Sequence, residues 1–299
     1  MQMKHMLKKK LPDWILLIYY YLKKKYHGTK IFILKFKGGK LDLKNIKDAL
    51  YKEEIKYNTI LMVHSSLKSL GYVNGGANTI IQALTESVGN EGTLCMPAFP
   101  AIGYNYDYLL TSPVFDIKNT PSKMGVITEE FRKMPGVFRS FHPTDSVCAF
   151  GKYAAHLTSD HFNQLTPYNQ HSPFNKLVEL KGKILLLGVN LEVVTNFHLI
   201  EDAIPDFKYP VYSDNIFDVK MVNEKGQIHY MKTKSHNPDY SKLRSCNDFE
   251  KVFIENNILK VFYIHKTKCA IIDAYKMHHF LVDCYHKGIT IYDTRKLVS

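Results

Sequence analysis

The stretch TILMVHSSLKSLGYVNGGANTIIQALTESVGNEGTLCMPAFP, residues 59–100, carries two apolar runs with a helical pattern between them. Residues 59–67 are rich in branched apolar side chains and end in small polar ones, which is typical of a buried strand that runs into a loop. The turn glycines Gly75 and Gly76 then precede Asn78, a candidate helix cap, and apolar residues at helical spacing. A second apolar run, GTLCMPAFP, follows. The strand, the helix and the second strand fall within about forty residues, which predicts a βαβ unit.

Two further segments extend this pattern. KGKILLLGVN, residues 181–190, is a continuous apolar strand after a charged turn, and NFHLIEDAI, residues 196–204, opens a helix. No repeat or low-complexity block divides the chain, and its C-terminal third adds helices and strands. We therefore predict an α/β fold of three layers, α/β/α, with a central mixed sheet over residues 41–299, and a basic N-terminal arm over residues 1–40.

The positive charge of the chain is concentrated in this arm. The sequence has 40 Lys and Arg against 28 Asp and Glu, a formal net charge of +12. Residues 1–40 hold 11 of the basic residues and one acid, Asp13, so the rest of the chain, with 29 basic and 27 acidic residues, is nearly neutral. A protein that follows nucleic-acid phosphates carries its basic residues on the folded surface. The distribution therefore argues against nucleic acid as a partner.

The arm itself suits a membrane surface. Its segment KKKLPDWILLIYYYLKKKY, residues 8–26, has an apolar run about half as long as a membrane-spanning helix needs, and no small-residue cleavage site follows it. Lysines that flank aromatic and aliphatic side chains predict peripheral contact with an anionic leaflet through residues 8–25. The alternative is a helix that packs on its own domain or on another subunit, and the oligomeric state stays open.

The cysteines and histidines predict neither a disulfide framework nor a metal site. The five cysteines are scattered, with no C-x-x-C pair, which favours a reducing, cytoplasmic location. The 14 histidines form no H-E-x-x-H or similar ligand spacing, so we expect no metal cofactor. A hydrolase that uses Ser65 or Ser66 as nucleophile is conceivable, but the G-x-S-x-G elbow is missing.

Three polar loops follow predicted strands, where α/β folds place their sites. The first, HSSLKSLGYVNGGANT, residues 64–79, offers Ser65, Ser66 and backbone N–H groups near a helix start, which suits phosphate or pantetheine amides. It lacks the P-loop and dinucleotide-binding patterns, and a glycine turn with no binding role is the alternative.

The second and third loops carry histidines. In RSFHPTDS, residues 139–146, Pro143 keeps His142 out of the helical region and so fixes the direction of its ring; a structural histidine is the alternative. In NFHLIEDA, residues 196–203, His198 and Glu201 project from one helix face, where the carboxylate would raise the basicity of the imidazole. An exposed ion pair three residues apart is the competing explanation.

Five stretches, taken in order, resemble the aminoglycoside 3-N-acetyltransferase family: VHSSLKSLGYVNGGANTIIQAL, GNEGTLCMPAF, FDIKNTPSKMGVITEEFRKMPGVFRSFHPTDSVCAFGKYA, SPFNKLVELKGKILLLGV and FHLIEDA. The resemblance runs from about residue 55 to 275. It is specific because the motifs keep the family's order and spacing. It implies an α/β/α fold, acetyl-CoA as co-substrate, and transfer of acetyl to an amine on an aminosugar.

The resemblance also implies roles for individual residues. His198 and Glu201 look like the family's catalytic histidine and its acidic neighbour, and the R-S-x-H-P signature puts His142 close to the site, as the other candidate for the catalytic base. Coenzyme A contacts are expected from three stretches of the chain: Ser65, Ser66, Leu67, Val73, Gly75 and Gly76 in the first loop, Ser122, Met124 and Gly125 in TPSKMG, and Arg139 and Ser140.

The expected reaction is direct acetyl transfer with no metal and no covalent enzyme intermediate. A sugar amine is mostly protonated at neutral pH, so His198 would act as general base, and Glu201 would orient it or hold the ammonium. The acceptor would be an aminoglycoside or an aminosugar of a surface-glycan precursor, and the near-neutral body with its cationic arm favours the precursor. A catalytically inactive, membrane-associated scaffold of the same fold is the alternative.

Overall fold

The computed structural model describes residues 41–297. The predicted arm, with its membrane contact through residues 8–25, lies outside the described residues. Within residues 41–297, no helix has the length and apolar character needed to cross a bilayer.

The strands of the described chain form two sheets. They are β1 (Ile60–Ser65), β2 (Thr93–Pro97), β3 (Val114–Asp116), β4 (Phe138–Arg139), β5 (Val147–Gly151), β6 (Lys183–Leu187), β7 (Phe217–Val222), β8 (Ile228–Thr233), β9 (Leu259–Ile264) and β10 (Thr267–Asp273). The large sheet has the order β4-β5-β2-β1-β6-β10-β9, and the small one has the order β3-β7-β8.

The helices flank these sheets. They are α1 (Leu43–Lys52), α2 (Leu67–Leu70), α3 (Gly76–Val88), α4 (Asn105–Leu109), α5 (Val126–Arg132), α6 (Ala154–Thr158), α7 (Pro173–Glu179), α8 (Leu199–Ala203), α9 (Pro238–Ser241), α10 (Phe249–Glu255) and α11 (Ala274–His286). Short 3₁₀ turns occur at Leu191–Val193, Thr195–His198, Cys246–Asp248 and Arg295–Leu297.

The large sheet is mixed, and its centre is parallel. β1 pairs in parallel with both β2 and β6, whereas β5 and β10 run antiparallel to their neighbours β2 and β6. Parallel strands need a crossover between them, and α3 supplies it between β1 and β2. This is the predicted βαβ unit.

Both faces of the large sheet are buried, which explains why its central strands are apolar throughout. Leu61 and Val63 of β1 pack with α1, α3 and α5 on one face. Ile60 and Met62 pack with α7, α10 and α11 on the other. The predicted three-layer α/β/α arrangement with a central mixed sheet is therefore confirmed.

One local prediction is wrong. Asn78 does not cap α3, because the helix already begins at Gly76. Gly75 and Gly76 both adopt left-handed backbone angles, with φ of 79° and 64°, so the chain turns into the helix three residues earlier than a side-chain cap at Asn78 would allow.

Candidate active site

A cleft of about 800 Å³ opens at the carboxyl ends of the three parallel strands. Its walls come from the loops that follow β1, β2 and β6, together with segments near β5, α5 and α9. This is the edge at which open α/β sheets bind their ligands. All three polar loops of the sequence reach it, the second through Asp145.

The chain is firmly anchored where it presents His198. Phe197 is fully buried, and its ring lies 5.5 Å from that of Phe249 and 5.8 Å from that of Phe253. The Asn196 side chain donates to the carbonyl oxygen of Phe174 at 3.2 Å. Since the residues before it are held in the core, His198 is fixed at the junction of the 3₁₀ turn and α8, where it lines the cleft.

Glu201 lies one turn further on and accepts three hydrogen bonds. His198 Nδ1 donates to its Oε1 at 2.8 Å, the Tyr292 hydroxyl donates to the same oxygen at 2.6 Å, and His236 Nε2 donates to Oε2 at 2.6 Å. The Glu201 side chain is 0% exposed and that of His198 is 9% exposed, so the pair is not the exposed ion pair of the alternative explanation. Glu201 orients the imidazole from behind and is not accessible to an ammonium in the cleft.

This bonding sets the protonation of His198. With Nδ1–H committed to the carboxylate, Nε2 of the neutral ring keeps its lone pair. The carboxylate was expected to raise the pKa of the imidazole, but burial outweighs it and lowers the pKa of His198 to about 4. Burial alone would raise the pKa of Glu201, but its two histidine partners together lower it by more, so its pKa lies below the ordinary value. At neutral pH the site therefore holds a neutral imidazole beside a carboxylate.

Aromatic rings enclose this pair. The Tyr168 ring stacks on His198 at 5.1 Å and on His236 at 5.4 Å, and Tyr212 stacks on the other side of His236 at 4.8 Å. The Tyr168 hydroxyl donates to Oδ1 of the buried Asp145 at 2.9 Å. The stacking leaves the two imidazoles little freedom to turn, so their hydrogen bonds to Glu201 are held in place.

His198, Glu201 and His236 are also close enough together to hold a metal ion, since their ligand atoms lie within 4.8 Å of one another. The separations of 2.8 and 2.6 Å are nevertheless those of hydrogen bonds. A metal would have to displace both bonds and their protons. The geometry fits a proton-transfer site, and the expectation of no metal cofactor stays a prediction.

The predicted coenzyme A residues divide into two groups. Ser65, at the end of β1, lines the cleft together with Ser66 and Leu67, which follow it, and so do Met124 and Gly125 before α5. Other members of the set do not line it: Val73 is buried in the core, Gly75 and Gly76 turn the chain into α3, and the Ser122 hydroxyl accepts from the Met124 amide at 3.2 Å. Ser122 thus shapes the loop that carries Met124 and Gly125.

Arg139 and Ser140 are buried and do not line the cleft. The buried Arg139 guanidinium donates to the carbonyl oxygens of Ala98, Ile117 and Thr120, at 2.7, 3.3 and 2.5 Å. Ser140 Oγ accepts from the Val147 amide at 2.9 Å. Both residues were expected to contact coenzyme A, but the structure commits them to holding backbone segments together.

His142 is likewise fully buried and does not line the cleft. Its Nδ1 accepts from the Asp145 amide at 3.2 Å, and its ring stacks on His161 at 4.4 Å. Burial lowers its pKa well below the ordinary value. His142 therefore holds the turn that presents Asp145, and of the two candidate bases only His198 reaches the cleft.

Several cleft residues were not predicted from the sequence: Asn105, Asp145, Tyr168, His236 and Arg244. Tyr292, which bonds to Glu201 without lining the cleft, was not predicted either. Asp145 lies in the RSFHPTDS loop, where the sequence alone does not distinguish it from its neighbours. His236 is 35 residues from Glu201 and sits in a loop after β8, so no local spacing could link the two.

Comparison with known proteins identifies relatives of this chain. Residues 62–286 match the aminoglycoside 3-N-acetyltransferase family. The chain is 32% identical over 245 residues to the SPbeta prophage-derived aminoglycoside N(3')-acetyltransferase-like protein YokD of Bacillus subtilis, covering 68% of this chain and 89% of that protein. It is 31% identical to aminoglycoside N(3)-acetyltransferase IX of Micromonospora chalcea, over 56% of this chain and 64% of that one.

A solved structure shares the fold. The binary complex of AAC-IIIb with CoASH superposes with a TM-score of 0.70 at 24% identity, over 84% of this chain and 98% of that chain. The family match extends from β1 into α11 and so spans both the His198 segment and the cleft loops. The chain is a member of the aminoglycoside 3-N-acetyltransferase family.

Proposed function

We propose that this chain transfers the acetyl group of acetyl-CoA to the amine of an aminosugar, with His198 as general base. The observation that carries the proposal is the neutral imidazole in the cleft, with Nδ1–H bonded to the buried Glu201 at 2.8 Å. The family membership and a fold shared with a CoASH-bound acetyltransferase support the same reaction.

The chemistry follows from the proton inventory. Nε2 of His198 takes a proton from the substrate ammonium, and the freed amine attacks the thioester carbonyl carbon. The amine loses its second proton to solvent, the C–S bond breaks, and the departing thiolate takes the proton held by His198. Glu201 stabilises the imidazolium that exists between these steps, as the acid does in a Ser-His-Asp triad.

The coenzyme would lie along the loop after β1 and the loop before α5. Ser65, Ser66, Met124 and Gly125 line this part of the cleft, and Lys68 and Lys123 add two cations there. Ammonium groups suit the phosphates of coenzyme A, and backbone N–H groups in these loops would stabilise the oxyanion formed at the thioester carbonyl.

An acceptor screen tests the proposal. Purified protein is incubated with acetyl-CoA and a series of amines that includes an aminoglycoside and simple aminosugars, while free thiol is followed and products are identified by mass. We expect thiol release that depends on the amine. His198→Ala should lower kcat by about a hundredfold or more, because it removes the base.

The matched control is His156→Ala, which removes an exposed imidazole on α6 and should keep full activity. Coenzyme binding is followed separately by thermal shift with acetyl-CoA, since a bound ligand stabilises the native state. A shift without thiol release for any amine would support the inactive scaffold instead.

A further inference from the structure

Arg244 brings a positive charge into the cleft next to the catalytic pair. It lines the cleft together with Ser241, His236 and His198. It donates from Nη2 to Ser241 Oγ at 2.9 Å and forms a hydrogen bond with Tyr292, whose hydroxyl in turn donates to Glu201. One side chain therefore separates the guanidinium from the carboxylate that orients His198.

Arg244 forms no direct ion pair with a carboxylate among the described residues. Within residues 41–297, no carboxylate oxygen forms an ion pair with it at 4.0 Å or less, and its buried Nε finds no acceptor. Arg139 differs from Arg244 in this respect. It also lacks a carboxylate partner in the described part of the chain, but its guanidinium donates hydrogen bonds to three carbonyl oxygens and to the Ser146 hydroxyl. Arg244 keeps donor capacity that the described protein does not use.

The rest of the cleft is not built for a polycation. Its two carboxylates are already engaged: Asp145 accepts from Tyr168 and Asn105, and Glu192 accepts from the Asn247 amide at 3.0 Å. The cleft is also lined by three cationic side chains, Lys68, Lys123 and Arg244, which outnumber these two acids. A ligand with several ammonium groups would meet Arg244 with like charge close to the point of reaction.

We propose that Arg244 binds an anionic group, a carboxylate or a phosphate, on the acceptor sugar. The inference rests on the proposed acetyl transfer and narrows its acceptor to an aminosugar that carries its own negative charge. A guanidinium presents donors in a fork that matches both oxyanions, and a bound oxyanion would accept from the N–H groups of Arg244 at the cleft that are not bonded to Ser241 or Tyr292. The amine of the same sugar would then face His198.

The phosphates of coenzyme A are the other source of such a group. Lys68 and Lys123 stand with the β1 and α5 loops, whereas Arg244 stands with α9 and the His198 side of the cleft. The test must therefore separate effects on the acceptor from effects on acetyl-CoA.

The experiment compares glucosamine with three anionic relatives: glucosamine 1-phosphate, glucosamine 6-phosphate and muramic acid. For each sugar, binding is measured by calorimetry and acetylation by thiol release, with wild type, Arg244→Gln and Arg295→Gln. Arg295 is the matched control, because it is 88% exposed and already paired with Asp293. We expect wild type to prefer at least one anionic sugar by about 10- to 100-fold, and Arg244→Gln to lose most of that preference. Arg295→Gln should retain it.

Each outcome decides a separate point. No preference for any anionic sugar in wild type, or a preference that survives in Arg244→Gln, overturns the anion site. A loss of acetyl-CoA affinity in Arg244→Gln with the sugar preference intact assigns the residue to the coenzyme and also overturns it. Arg244-dependent binding of an anionic sugar without thiol release from any acceptor would uphold the anion site and reject the proposed acetyl transfer.

Discussion

Replacing Glu201 with glutamine changes one atom in the centre of the site and removes its charge. The carboxylate accepts from His198, His236 and Tyr292 at 2.8, 2.6 and 2.6 Å. Glutamine of the same shape offers one carbonyl oxygen and one NH₂ group. At least one former donor must then face another donor.

The size of the effect depends on which oxygen position the NH₂ group takes. Facing His198, it forces the ring into the tautomer that carries its proton on Nε2, and the equivalent change in a Ser-His-Asp triad lowers kcat by about 10⁴-fold. Facing His236, it spares the His198 tautomer and removes only the charge that stabilises the imidazolium. We therefore expect kcat to fall by about 10²- to 10⁴-fold, or roughly 3–5 kcal/mol of transition-state stabilisation.

The assay is thiol release at saturating acetyl-CoA with the best acceptor, together with thermal unfolding to establish that the variant is folded. An unpaired buried donor costs about 1–3 kcal/mol, so the melting temperature should also fall. Glu255→Gln, an exposed change on α10, is the control. If folded Glu201→Gln retained kcat within about threefold of wild type, the orienting role of the carboxylate would be refuted.

Three other predictions concern stability and the coenzyme. Among residues 41–297, four imidazoles are buried: His64, His142, His161 and His198. Burial lowers the pKa of each, so between about pH 6.5 and 4 the unfolded chain binds more protons than the native one. The free energy of unfolding should therefore fall as pH decreases, by up to about 1.4 kcal/mol per histidine per pH unit. A melting temperature unchanged between pH 7 and 5 would contradict this. Arg139→Lys should lower the free energy of unfolding by roughly 2–4 kcal/mol, because lysine cannot reach all the carbonyls that the guanidinium binds. The Kd for acetyl-CoA, measured by calorimetry, should stay unchanged. A selective loss of coenzyme affinity would instead support Arg139 as a coenzyme contact. Gly125→Ala forces a side chain onto a backbone with φ of 114°, at a strain of about 1–3 kcal/mol, and should weaken acetyl-CoA binding about tenfold. The control is Gly226→Ala, at φ of 77° in the β7–β8 turn, which should affect stability alone.

Most of the fold, and the His198–Glu201 pair of the site, could be predicted from the sequence. Apolar runs such as ILMV in β1 and ILLL in β6 identify strands buried on both faces, and their order with α3 gives the parallel centre of the sheet. The pairing of His198 with Glu201 could also be predicted, because residues three apart on one helix face meet without help from distant parts of the chain.

The remaining site residues depend on tertiary contacts. His236 and Tyr292 reach Glu201 across 35 and 91 residues, and no periodic pattern records such a contact. The pKa of His198 was expected to rise because the neighbouring carboxylate is visible in the sequence, whereas the burial that outweighs its effect is not. The sequence likewise does not reveal the backbone carbonyls that surround the Arg139 guanidinium.

Chemical rescue of His198→Ala is the most direct test of the central claim that this imidazole takes the proton from the acceptor amine. Thiol release from acetyl-CoA is measured with one aminosugar acceptor, for wild type, His198→Ala and His142→Ala, with and without added imidazole. We predict that His198→Ala loses about a hundredfold or more in rate and that free imidazole restores part of it, since a small base can enter the emptied position. A His198→Ala variant that turns over at the wild-type rate, while His142→Ala does not, would contradict the account and move the base to the other loop.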